Sequence, residues 1–218
     1  MANGFTRNVR YLSRYQFKNM LCAYGFVVIF GILTSFGTNI NTTTLLEEII
    51  SFAPFMFIAM SFTIHTHIIM KEFNVIFSMS SSRKNLLAAL PVATIEILIL
   101  SIAPSLLLYL FPDIFTVKPM SLLFFTIALI TAATIGILFG IIGCHFGLAG
   151  QMVVSGLSGG ILAIFFIKLL DTGLSNILTT LNNIKITTAL LILASAIGVY
   201  LSVSVLAYIV LRRKEVQF

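Results

Sequence analysis

Apolar residues fill six long runs of this chain, and most polar and charged residues lie between the runs. The runs cover residues 20–37, 49–70, 86–111, 120–143, 148–170 and 186–211. A helix needs about 20 apolar residues to cross about 30 Å of hydrocarbon. Strands of a transmembrane barrel would alternate in polarity over about ten residues, whereas these runs are continuous. The pattern therefore predicts an all-α, polytopic membrane protein, with six transmembrane helices in a single transmembrane domain, 1–218.

The composition supports the same class. The chain is 59% hydrophobic and 9% charged, whereas an ordinary globular domain carries about a quarter charged residues. A water-soluble domain is therefore excluded.

Lysine and arginine are distributed unevenly between the two sides that six spans would create. If the N-terminus is cytoplasmic, ten basic residues lie inside and three lie outside. The inner set is Arg7, Arg10, Arg14, Lys18, Lys71, Arg83, Lys84, Arg212, Arg213 and Lys214. The outer set is Lys118, Lys168 and Lys185. The asymmetry predicts that both termini are cytoplasmic, and topology alone explains the net charge of +6 without a nucleic-acid partner.

Residues 3–18 carry an amphipathic helical pattern. Four cations fall within an arc of roughly 80° on a helix that turns about 100° per residue. They are Arg7, Arg10, Arg14 and Lys18. Phe5, Val9 and Leu12 gather opposite them. The segment is predicted to lie in the cytoplasmic interface, with its cations facing phosphate headgroups or an acidic protein surface. A simple positive-inside anchor without a partner is the alternative.

The connection at 72–82, between the second and third runs, is predicted to contain a short helix. Phe73, Ile76 and Phe77 are spaced by three and four, so they would form one apolar face. That face must be buried, either on the membrane surface or in a soluble partner. The serines at 80–82 can cap the next span, which begins around Arg83 and Lys84.

These features together resemble the small type-2 ABC exporter permeases of bacteria. In that family the basic amphipathic segment is the connecting helix, and the connection between the second and third spans is the coupling helix that docks on the ATPase. The stretch 77–91 resembles the family's leucine-proline-x-serine-arginine-lysine element, although Met79 and Ser80 stand where leucine and proline are usual. The resemblance implies that ATPase coupling involves Glu72, Phe73, Ile76, Phe77, Met79, Arg83 and Lys84.

The catalytic motifs of an energy-converting enzyme are missing from the sequence. No Gly-x-x-x-x-Gly-Lys-Ser/Thr, His-Glu-x-x-His or Gly-x-Ser-x-Gly pattern occurs. The chain is therefore predicted to be a permease subunit rather than an enzyme, and to bind no cofactor itself. ATP and Mg²⁺ would be bound by a separate ATPase subunit. Six spans are half of the usual pathway in this family, so a second permease half is implied, either identical or a sister chain.

Glu96 is the only carboxylate well inside an apolar run. A charge near the bilayer centre costs about 2.5 to 3.5 kcal/mol, so this side chain should face protein or water, or be protonated. Glu96 is therefore a candidate pathway residue, which would meet a cationic group of cargo or of a neighbouring helix. A position near the interface, with the charge solvated, is the alternative.

Small residues recur at helical spacing in the last three runs. Their positions are predicted to be helix-packing sites, within the chain by default and between two chains as the alternative. They include Gly136, Gly140, Gly156, Gly160 and Gly198. His65 and His67 point about 160° apart on a helix, which is a poor geometry for a shared metal, so both are interpreted as interfacial histidines.

The sequence thus predicts a multi-pass permease half of an ABC exporter in a bacterial plasma membrane, with a hydrophobic or amphipathic peptide or drug as cargo. Two alternatives remain. The chain could be the substrate-binding membrane subunit of an energy-coupling-factor importer, which has a similar length and number of spans. It could also be a membrane interaction or immunity protein that transports nothing.

Overall fold

The computed structural model describes residues 4–35, 42–72, 83–107, 119–147, 149–154, 156–157, 160 and 184–212. Their backbone forms five long helices, which we number in chain order. They are α1 (Gly4–Ser35), α2 (Thr42–His67), α3 (Arg83–Leu107), α4 (Pro119–His145) and α5 (Ile186–Arg212). A π-helical turn, Ile68–Glu72, continues α2. These residues include no β-strand.

Four helical segments are long and apolar enough to cross a membrane. They are Gly4–Leu33, Phe52–Lys71, Met120–His145 and Ile186–Leu211. A shorter apolar stretch, Ala88–Pro104, lies within α3. The protein is therefore all-helical and has the properties of a multi-pass membrane protein. Most of the predicted run 148–170 lies outside the described residues.

Helix α1 joins two elements that the sequence analysis separates. The predicted interfacial segment 3–18 and the predicted first span 20–37 meet inside one uninterrupted helix of 32 residues. At 1.5 Å per residue this helix is about 48 Å long, which exceeds the hydrocarbon thickness of about 30 Å. No proline lies within it, so the sequence offers no cause for a break at the predicted boundary.

Helices α1 and α2 pack antiparallel. The rings of Tyr24 and Phe57 lie 5.0 Å apart between centroids, and those of Phe30 and Phe52 lie 4.1 Å apart. As the residue number rises along α1 it falls along α2, which defines the antiparallel direction. We call these four rings the aromatic end of the α1–α2 contact.

Helices α2 and α4 pack parallel, with α2 between α1 and α4. Ser61 Oγ donates to the carbonyl oxygen of Leu129 at 3.1 Å, and Thr66 Oγ1 lies 3.1 Å from the carbonyl oxygen of Gly136. The partners advance together along both helices. This arrangement requires the chain to cross back through α3 between them.

The remaining two helices differ in how much of their surface the protein covers. Helix α3 packs mainly against α1, with further contacts to α4 and α5, and α5 packs mainly against α4. Only 11% of the α5 span is buried in the protein, compared with 50% of the α4 span. Most of α5 therefore presents apolar side chains at the outside of the bundle, including Leu191, Val199 and Val205.

Candidate functional site

The predicted coupling segment lies largely outside the described residues. Phe73, Ile76, Phe77 and Met79 belong to the undescribed stretch 73–82, so their predicted face stays a prediction. Glu72 ends the π-helical turn, and Arg83 and Lys84 begin α3. The structure therefore describes both attachment points of the segment.

The first attachment point, the π-helical turn, is firmly packed. Ile68 and Ile69 are completely buried, and Met70 is nearly so. A π-helical turn disturbs the regular pairing of backbone groups. Here the Cys144 thiol lies 3.0 Å from the carbonyl oxygen of Ile69, to which it can donate. The base of the predicted coupling segment is thus fixed to α4.

Two glycines allow α2 and α4 to approach so closely. A methyl group on Gly136 would collide with the carbonyl oxygen of Phe62, and one on Gly140 would lie 2.5 Å from Cβ of Ile69. Close approach of this kind lets dispersion act along the whole contact. We call this contact, from Ser61 to Met70 on α2 and from Leu129 to Cys144 on α4, the glycine seam.

The other predicted packing glycines are placed differently. Among the described residues, nothing lies within 4 Å of a methyl group built on Gly156, Gly160 or Gly198. Gly198 lies on the exposed surface of α5. Close packing within the described chain therefore involves Gly136 and Gly140 and not these three glycines.

The four cations of the predicted connecting helix, Arg7, Arg10, Arg14 and Lys18, are all exposed. The opposite side of α1 is buried against protein. Leu12 is 1% exposed, and Asn8 and Gln16 are buried with it. The inward side of this segment therefore packs on the helix bundle.

Glu96 lies on α3, half-buried at the contact with α1. The Ser13 hydroxyl lies 2.7 Å from its Oε1 atom and donates a hydrogen bond to it. Eleven residues further along α1, the Tyr24 hydroxyl donates to the carbonyl oxygen of Leu100. Among the described residues no basic side chain forms an ion pair with Glu96. We call this contact between α1 and α3 the polar seam.

The structure corrects the interpretation of His65 as an interfacial residue. Its side chain is completely buried. Nδ1 lies 2.7 Å from the carbonyl oxygen of Ser61, and Nε2 lies 2.7 Å from Thr94 Oγ1 on α3. Thr94 Oγ1 in turn lies 2.6 Å from the Tyr200 hydroxyl on α5. One side chain thus links three helices.

The hydrogen-bonding chemistry gives this chain a direction. A carbonyl oxygen only accepts, so Nδ1 of His65 carries the proton that it donates to Ser61. In the neutral ring Nε2 then accepts from Thr94, which leaves Tyr200 to donate to Thr94. Each buried polar group in the chain is satisfied, which stabilises the contact of α2, α3 and α5. We call this chain the His65 network.

Sequence reasoning missed the His65 network, although a signal was present. His65, Thr94 and Tyr200 each stand within a predicted apolar run. Polar groups in hydrocarbon are expensive unless they are hydrogen-bonded, so polar residues on different spans should meet. Which of them meet depends on packing between helices that are distant in sequence.

Two buried polar side chains have no hydrogen-bond partner in the described structure. Gln16 on α1 is completely buried, and neither Nε2 nor Oε1 is hydrogen-bonded. Ser101 on α3 is also completely buried, and its hydroxyl is unpartnered. An unsatisfied buried polar group costs about 1 to 3 kcal/mol.

The donor set of the described residues contains no cluster of three or more His, Cys, Asp or Glu side chains that could hold a metal ion. No family model, no curated protein and no solved structure matches this chain.

Proposed function

We propose that the chain is the membrane-spanning permease half of an ABC exporter, driven by a separate ATPase subunit. It has six spans, an amphipathic connecting helix at its N-terminus and both termini in the cytoplasm of a bacterial cell, where it resides in the plasma membrane. A second permease half, identical or related, completes the pathway. The ATPase binds ATP and Mg²⁺, and the cargo is a hydrophobic or amphipathic peptide or drug.

The observation that carries this proposal is the packing at the base of the segment 72–82. The π-helical turn before it is buried and hydrogen-bonded to α4. Helix α3 begins immediately after it, at Arg83. A force on this segment therefore acts on two packed helices at once, as mechanical coupling requires.

The described contacts suggest which parts would move. The glycine seam holds α2 to α4, and the polar seam holds α1 to α3. These two pairs meet through the aromatic end of the α1–α2 contact and through the His65 network. A push near Glu72 and Arg83 would separate the pairs at that end, with the aromatic end as the pivot. The bond between His65 and Thr94 would break and re-form in each cycle.

The exposed cations of α1 support the same proposal. Arg7, Arg10, Arg14 and Lys18 all lie on the exposed side of the helix, where phosphate headgroups or an acidic face of the ATPase can bind them. Their charge explains how the helix stays near the cytoplasmic face while its inward side packs on the bundle.

The test is association with an ATPase. The purified chain, expressed with the ATPase subunit encoded next to it, should form a stable complex that hydrolyses ATP. Replacing Phe73, Ile76 and Phe77 together by serine removes the predicted docking face and should abolish the association. Phe146→Ser is the matched control, because Phe146 is an exposed phenylalanine near the end of α4 on the same predicted side of the membrane.

Retained association of the triple variant would contradict the coupling role of these residues. Transport by the purified chain alone in liposomes, driven by an ion gradient, would contradict the exporter proposal as a whole. Association with a separate membrane scaffold in place of a direct ATPase contact would favour the importer alternative.

A further inference from the structure

Gln16 is the buried neighbour of Ser13 at the polar seam. Residues three or four positions apart lie next to each other on one side of a helix. Of the two such neighbours that follow Ser13, Phe17 is 59% exposed and Gln16 is completely buried. Gln16 also lies between Ser13 and Tyr24, the two residues through which α1 is hydrogen-bonded to α3. Its amide is therefore enclosed at the α1–α3 contact.

The contacts between α1 and α2 give the depth of Gln16. Tyr24 stands opposite Phe57, and the two helices run antiparallel with equal rise per residue. Eight residues before Tyr24, Gln16 is therefore at about the level of His65. Thr94 and Glu96 lie at this level too, because Thr94 bonds to His65. A layer of polar groups thus crosses the middle of the helix bundle.

This layer contains polar groups without partners. Both polar atoms of the Gln16 amide are unpartnered, and the Glu96 carboxylate is hydrogen-bonded only by Ser13 among the described residues. A carboxylate has about four acceptor positions, and an amide oxygen has two. Unpaired acceptors in surroundings of low dielectric attract a cation that carries several donors.

We propose that Glu96, Ser13 and Gln16 form a binding site for the ammonium group of an alkyl amine. A primary ammonium has three donors and no acceptor, so it matches the free positions of Glu96 and the Gln16 amide oxygen. The flanking residues on both helices are apolar and buried, which suits an alkyl chain. They are Leu12, Met20, Ala93 and Ile97.

The site can be reached from the side of the helix bundle. On α1 its rim is formed by Phe17 and Leu21, and on α3 by Ile95 and Ile99, all of them more than half exposed. These residues face lipid in a membrane, so an amphipathic amine dissolved in the bilayer can enter between α1 and α3 without first crossing the protein.

The basic residues of α1 do not fill the site. At 100° per residue they begin about 60° around the helix from Ser13, on the side away from Gln16. They are exposed and none pairs with Glu96. Their positive potential favours the phosphate surface, whereas the ammonium is held by the carboxylate inside the seam.

The identification of this amine as cargo rests on the proposed exporter function, but the binding itself does not. It is tested on the chain alone, without ATPase, in phosphatidylcholine nanodiscs with radiolabelled dodecylamine. Dodecanol has the same chain without charge, and dodecyltrimethylammonium has the charge without donors. Saturable binding of dodecylamine is expected, with at least about tenfold weaker binding of both comparators. Equal binding of dodecanol would overturn the proposal.

Two variants locate the site. Glu96→Gln removes the charge and should weaken dodecylamine binding at least about tenfold. Gln16→Met removes the amide at nearly constant volume and should weaken it about three- to tenfold. Gln151→Met, which replaces a half-exposed glutamine elsewhere, should leave binding unchanged. Wild-type affinity in either site variant overturns the proposal. Should Glu96→Gln fail to elute as a folded species, Gln16→Met decides the question.

A lipid headgroup could supply the same ammonium chemistry. Nanodiscs with phosphatidylethanolamine added to phosphatidylcholine distinguish the sources. Loss of dodecylamine binding in these discs assigns the site to a lipid amine, and unchanged binding assigns it to a free amphipathic amine. Either result requires the site. The ATPase association assay is independent, so failure of amine binding leaves the exporter proposal standing.

Discussion

The glycine seam and the polar seam join neighbouring helices by opposite means. At the glycine seam the backbones of α2 and α4 nearly touch, because Gly136 and Gly140 present no side chain. At the polar seam α1 and α3 are joined by single hydrogen bonds from Ser13 and Tyr24, and a buried amide beside them has no partner.

The difference concerns what each contact loses when it opens. Separating the glycine seam would lose dispersion along several helical turns, and no ligand could fill the thin gap. Separating the polar seam would lose a few hydrogen bonds, which water or a polar ligand can replace. The glycine seam is therefore suited to act as a rigid unit, and the polar seam is suited to open.

The largest expected effect is overpacking of the glycine seam. Gly136→Val would place three carbon atoms against the carbonyl oxygen of Phe62, which belongs to the helix backbone and cannot rotate away. We expect a loss of about 3 kcal/mol in the free energy of unfolding, because an overfilled contact forces the helices apart. Thermal unfolding in detergent, followed by circular dichroism, measures it.

Gly198→Val is the matched control for that substitution. Open space surrounds Gly198 among the described residues, so the stability of the single chain should change by a few tenths of a kcal/mol at most. Equal destabilisation by the two variants would show that the glycine seam is not tighter than the exposed surface of α5.

The next effect concerns the His65 network, which links the two helix pairs. Thr94→Val keeps the shape of the side chain but leaves Nε2 of His65 without its donor and the Tyr200 hydroxyl without its acceptor. We expect a loss of about 2 kcal/mol in unfolding free energy. Thr131→Val removes an exposed threonine that bonds only within its own helix, so it should be nearly neutral in the same assay. Similar values for both would contradict a linking role.

The smallest effect should have the opposite sign. Gln16→Met replaces an unpartnered buried amide by an apolar side chain of similar volume, so the ligand-free chain should gain about 1 kcal/mol in unfolding free energy. Gln151→Met should change it little. Destabilisation by Gln16→Met would mean that the amide is satisfied in the membrane and that the polar seam contains no unpaired group.

The helices themselves could be predicted from hydrophobic length. The runs 120–143 and 186–211 agree within two residues with α4 and α5, because a polar boundary follows each apolar stretch. Helix α2 begins at Thr42, before the predicted start at 49, because helical hydrogen bonding continues into a polar segment that hydropathy ignores. The continuity of α1 could not be predicted for the converse reason. A charged face marks an amphipathic stretch, but only Pro, Gly or a capping residue marks a break.

The site could be predicted in part. Glu96 was identifiable because a carboxylate in an apolar run is unusual, yet its partner Ser13 is 83 residues away in sequence. His65 and Tyr200 are likewise joined only through Thr94, which lies 29 and 106 residues from them. Periodicity reports which side of one helix is buried. It carries no information about which residue of another helix arrives there.

The π-helical turn at Ile68–Glu72 has a consequence for insertions and deletions. Such a turn closes hydrogen bonds over five residues instead of four, so it holds one residue more than an α-helical turn. Deleting a single residue here would restore an ordinary turn and rotate all that follows by about 100° relative to α2. The angular phase between the membrane bundle and its predicted docking face is therefore set by one amino acid.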